Sequence, residues 1–105
     1  MEANDRYSEV MGMNEQDRRT LDLLDRTLLA YVPADRYCLD DSPKDGCMVL
    51  APGDGKWHVF FREGRLIEDV SVHDTLREAA LQLIRNVAPS PEDERQMRLR
   101  FLADN

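Results

Sequence analysis

The side chains in this sequence that could do nucleophilic or acid–base work are Cys38, Cys47, His58, His73 and several carboxylates. A thiol beside an imidazole is the smallest pair that gives an activated nucleophile. Cys47 and His58 lie in consecutive apolar stretches that read as a hairpin, which brings residues at this separation together. A working pair also needs a group to orient the imidazole and donors for an oxyanion. The sequence offers neither, so an enzyme is not expected. His58, next to Trp57 on a strand, reads as a partly buried or surface-paired residue, and His73 as a solvated residue ahead of a helix cap.

Phosphate and metal chemistry fare no better. The run "APGDGKW" supplies two Gly and a Lys, but it lies between two strands, whereas a phosphate-binding loop joins a strand to a helix. It reads as a hairpin. Asp40, Asp41 and Asp45 are close in sequence without the alternating-oxygen spacing of a calcium loop or a closing Glu. The two Cys residues have neither CxxC spacing nor a second ligand pair for zinc. They are expected to be packed thiols, and no cofactor or metal is implied.

What remains is recognition by surface. The chain has 105 residues, 21 acidic and 14 basic, for a net charge of −7. Such a surface repels nucleic acid, whose binding needs clustered cations to displace counterions, and favours basic protein partners. The imbalance is concentrated, with −5 in residues 1–50 and −2 in the rest. No apolar run has the roughly 18 residues of a membrane span. "MEANDRYSEV" lacks the basic head and apolar stretch of a secretion signal, so a cytoplasmic protein is expected.

The positioning elements follow from periodicity. Residues 1–13 show no sustained pattern and read as a mobile leader, with residues 14–105 forming one domain. Asn14 is placed to cap a helix on which Leu21, Leu24, Leu28 and Val32 share a face, until Pro33 ends it. "DRYCLDDSPKDG" (35–46) reads as a loop pinned by Tyr37 and Leu39. Three strands follow, at 47–51, 56–62 and 65–72, joined by tight Gly-containing turns. On the middle strand Trp57, Val59 and Phe61 should face the core, and His58, Phe60 and Arg62 the other side. Thr75 and Glu78 have capping-box spacing ahead of Leu76, Ala79, Ala80, Leu83, Ile84 and Val87. Ser90, Pro91 and three acidic residues open a last helix carrying Met97 and Phe101. The expected fold class is α+β: a three-stranded antiparallel meander packed by helices, in the order α-β-β-β-α-α.

The succession "VPADRYCLDD", an apolar strand, "GKWHVFFREG" and a strand leading into "HDTLREAALQLI" resembles a family of small bacterial immunity proteins of polymorphic toxin systems. The family pattern is a Tyr-x-Leu segment, a strand, a Gly-x-Trp-x-Val-aromatic-aromatic strand with a Glu-Gly-type turn, and a closing helix. The resemblance spans residues 32–87. Phe60-Phe61 stands where the pattern has two tyrosines, and Arg62-Glu63-Gly64-Arg65 where it has Ser-Glu-Arg-Gly. It implies an antitoxin-like protein without catalysis, whose partner is a cognate protein toxin.

Physical reading and resemblance converge on one expectation. An acidic loop with an aromatic anchor, Asp35, Tyr37, Asp40, Asp41 and Asp45, would enter a basic toxin cleft. Phe60, Arg62 and Glu63 from the strand and turn would join it. The alternative is a small non-enzymatic adaptor that self-associates as a weak homodimer, through the sheet face bearing Phe60 or through the Met97/Phe101 helix.

Overall fold

A computed structural model describes residues 14–39 and 45–104. The expected leader, together with Asp40 and Asp41, lies outside the described residues. The elements are helix α1 (Glu15–Leu29), a 3-10 turn (Ala34–Arg36), strands β1 (Tyr37–Cys38), β2 (Cys47–Gly53), β3 (Lys56–Glu63) and β4 (Leu66–His73), and helices α2 (Leu76–Val87) and α3 (Pro91–Asp104). The fold is α+β. It differs from the expected meander in having a fourth strand: the sheet is mixed, ordered β1-β2-β3-β4, with β1 parallel to β2 and the other pairs antiparallel. Two residues leave too short a pattern for periodicity to register, and their partner lies beyond the intervening loop.

Helix starts follow side-chain chemistry. Asn14 Oδ1 accepts the Asp17 N–H at 2.8 Å, Thr75 Oγ1 accepts that of Glu78 at 3.2 Å, and Ser90 Oγ that of Asp93 at 3.2 Å. Each satisfies a donor that the first helical turn leaves unpaired. Both hairpins are set by backbone freedom. Asp54 and Gly55 both have positive φ, 55° and 73°, as a two-residue type I′ loop demands, and Gly64 at 60° takes the first central position of the next turn.

One sheet face forms the main core. Met48, Leu50, Trp57 and Val59 pack under Leu76, Ala79, Ala80, Leu83 and Ile84 of α2. The two alanines keep side chains short where α2 lies on β2 and β3. Leu24 and Leu28 of α1 join this core, as do Met97 and Phe101 of α3, both 0 % exposed. Thus α3 docks on α1 and α2 rather than on the sheet, and its Met97/Phe101 face is interior. That removes it as a surface for self-association.

The opposite face is graded. On it Cys38, Cys47, Val49 and Ala51 form a second buried cluster with Phe60 against it, and no residue of α1, α2 or α3 belongs to that cluster. Burial then falls strand by strand: Val49 is 0 % exposed, Phe60 is half-buried, and Ile67, Val70 and Val72 of β4 are 52 %, 57 % and 53 % exposed.

Candidate functional site

The register separates the one nucleophile–base pair the sequence offered. Cys47 pairs across the ladder with Arg62, and His58 with Ala51. Four residues of strand therefore separate His58 from the position facing Cys47, about 13 Å at the rise of a β-strand. The His58 imidazole instead lies 3.0 Å from the Gly53 carbonyl. A carbonyl only accepts, so the proton sits on Nε2. His73 Nε2 is hydrogen-bonded to Ser71 Oγ at 2.9 Å. Both cysteines are buried and neither is in a disulfide. Among the described residues no group of three or more His, Cys, Asp or Glu could hold a metal. Lys56, from the Gly-rich hairpin, is bound to Asp74, whose carboxyl is held below the ordinary range by that hydrogen bond and by the Lys56 charge.

The residues expected to contact a partner divide into three groups. Tyr37 is corrected from exposed anchor to core. It is 4 % exposed, and its hydroxyl donates to the Asp25 carboxylate at 2.7 Å. Burial, then that hydrogen bond and the Asp25 charge, push the phenol pKa well up. The local cause is β1 itself: pairing Tyr37 with Met48 turns its ring inward, toward α1.

Asp35, Asp45 and Glu63 are exposed and come to one end of the sheet, where β1 and β2 begin and the β3–β4 hairpin turns. Asp45 is built into that corner, its Oδ1 accepting the Gly64 N–H at 3.1 Å while the Gly46 N–H donates to the Arg62 carbonyl at 2.8 Å. Arg36 and Arg65, both exposed, stand at the same end. The corner therefore carries both signs of charge.

Phe60 and Arg62 are half-buried on the outer sheet face, apart from the carboxylates in direction though adjacent in sequence. Sequence reasoning missed the aliphatic side of β4 that continues this face. It missed as well a groove of about 450 Å³ lined by α1 and α3, with Arg19, Arg26 and Arg100 set among Asp22 and Asp104. Two of these arginines are paired along their own helix, Arg19 with Glu15 and Arg26 with Asp22. The ladder register would have been needed to find the first surface and helix docking to find the second.

Among the described residues no helix is long and apolar enough to cross a membrane. Comparison with known proteins finds no matching family model, no matching curated protein and no matching solved structure.

Proposed function

We propose that this chain is an immunity protein that binds and neutralises a cognate bacterial toxin without catalysing a reaction. The observation that carries the reading is the gathering of Asp35, Asp45 and Glu63, from three separate segments, on one exposed end of the sheet. The net charge of −7 adds long-range attraction for a basic partner. Arg36 and Arg65 at the same corner mean that the complementary surface is charge-patterned, with carboxylates among its cations. The resemblance of residues 32–87 to immunity proteins supplies the class of partner.

Co-expression tests this. The neighbouring reading frame should arrest growth when expressed alone, and this chain should restore it. Asp35→Lys, Asp45→Lys and Glu63→Lys combined should abolish the rescue while circular dichroism remains native. A harmless neighbour, with no basic protein retained at low salt on immobilised chain, would sink the reading.

A second reading, a non-enzymatic adaptor domain that self-associates, is favoured by the aliphatic outer face of β4.

A further inference from the structure

The amphipathicity of β4 is inverted. Residues paired across a ladder share a face, so His73 (opposite Trp57), Ser71 (opposite Val59) and Glu68 (opposite Phe61) lie on the helix-covered side of the sheet. Three of its four aliphatic residues, Ile67, Val70 and Val72, point the other way, where each is more than half exposed, while Leu66, opposite Glu63 at the start of the strand, lies on the Glu68 side. A sheet with one face on its core and one in water shows the opposite pattern. The inversion is built by a bulge. Between the pairs Val59–Ser71 and Phe61–Glu68 the strand has one extra residue, and Asp69, with φ 55°, takes it up. In a regular strand Ile67 and Val70, three apart, would fall on opposite faces.

We propose that the outer face of β3 and β4 seats a second copy of this chain. This inference does not rest on the immunity reading. Charge selects the occupant: the accessible outer-facing positions of β3 and β4 (His58, Phe60, Arg62, Ile67, Val70, Val72) hold no carboxylate, in a chain of net charge −7. It is a surface on which two acidic copies meet with little repulsion. The stripe is also self-complementary. A two-fold axis through Val70 sets Ile67 of one copy against Val72 of the other, as an isologous contact requires. Glu68 and the bulge guard the open edge of β4 against strand addition, so the sheets pack face to face and the assembly closes at two. The aliphatic patch is of the order of a few hundred Å², short of the roughly 800 Å² per partner of a standard interface, so the dimer is weak and reversible.

Sedimentation equilibrium of the full chain, from micromolar to millimolar, decides it. A reversible monomer–dimer equilibrium is expected, and added salt should tighten it by screening the net charge. Val70→Lys and Ile67→Lys should each weaken it about tenfold or more, because each places a charge in a desolvated centre. Leu99→Lys, on the exposed side of α3, should leave it unchanged. Circular dichroism of each variant certifies its fold, and either Lys variant alone suffices. A monomer at every concentration overturns the proposal. So does a dimer that both folded Lys variants leave intact, or one that salt dissociates.

Discussion

The Tyr37 hydroxyl donates to the Asp25 carboxylate across 2.7 Å, tying the first strand to the first helix. It also receives no competition from solvent, since Tyr37 is 4 % exposed. The phenol pKa is therefore raised, by burial first and by Asp25 second. A raised pKa means that the folded chain holds this proton more tightly than the unfolded chain does. The resulting stability is complete below the unfolded tyrosine value of about 10 and is lost as pH rises above it. Denaturant midpoints measured from neutral to strongly alkaline pH should fall more steeply for the native chain than for Tyr37→Phe. At neutral pH that variant should be less stable by about 1.5–3 kcal/mol, the range for a hydrogen bond to a charged group. Parallel curves would mean that the phenol ionises freely in the folded state.

Trp57 fills the sheet side of the core beneath α2 and is buried. Trp57→Ala should lower stability by about 3–5 kcal/mol, from lost transfer energy together with a cavity that α2 cannot close. Ala80→Leu, at a site with 0 % exposure, acts in the opposite sense by overpacking and should cost about 1–3 kcal/mol. Urea titration of both variants reads these values directly. A loss below about 1 kcal/mol for Trp57→Ala would place the indole at the surface.

Much of this core was legible because its signals are local. Asn14, Thr75 and Ser90 each cap the helix that their spacing announces, and Trp57, Val59 and Phe61 alternate inward as strand geometry requires. What escaped depends on contacts remote in sequence. Tyr37 looked like an exposed aromatic on an acidic loop because a two-residue parallel strand leaves no periodic trace, and its ring direction is decided by Met48. Met97 and Phe101 gave one turn of apolar spacing on a charged helix, too little to indicate that α1 and α2 enclose them. The gathering of Asp45 with Glu63, and the outward turn of Val70, follow from ladder register and one bulge.

The thiols provide a chemical test of the register. Cys38 and Cys47 are 4 % and 1 % exposed, and the imidazole of His58 is engaged with Gly53 rather than either sulfur. Reaction with a disulfide reagent should be slow in the native chain at neutral pH and rapid in denaturant, because buried thiols wait on opening of the structure. Rapid native modification of Cys47 that is suppressed by His58→Ala would instead reveal an activated pair and revive an enzymatic reading.

Asp74 is exposed and receives the Lys56 ammonium, which holds its carboxyl below the ordinary carboxylate range. A depressed folded pKa contributes stability above the unfolded value and loses it as pH falls through the folded one. Since both partners face water, the signature to seek is the titration itself. Carboxyl resonances followed by NMR should show Asp74 titrating at lower pH than its exposed neighbours, and Lys56→Met should return it to the ordinary range. An unchanged Asp74 curve in that variant would assign the shift to another group.

Asp69 is the residue on which the β4 surface turns, and its backbone is where substitution is most informative. Its φ of 55° lies in the left-handed region, which costs an ordinary L-residue roughly 1–2 kcal/mol and glycine almost nothing. Aspartate tolerates the region better than most, so Asp69→Gly should be neutral to slightly stabilising, by at most about 1 kcal/mol. Asp69→Val, β-branched, should cost about 1–2 kcal/mol. The two variants also separate the bulge from the side chain. If the conformation alone directs Ile67 and Val70 to one face, Asp69→Gly keeps the monomer–dimer equilibrium and Asp69→Val weakens it in step with its loss of stability. Loss of dimer in Asp69→Gly, with the fold intact, would assign the effect to the carboxylate and not to the bulge.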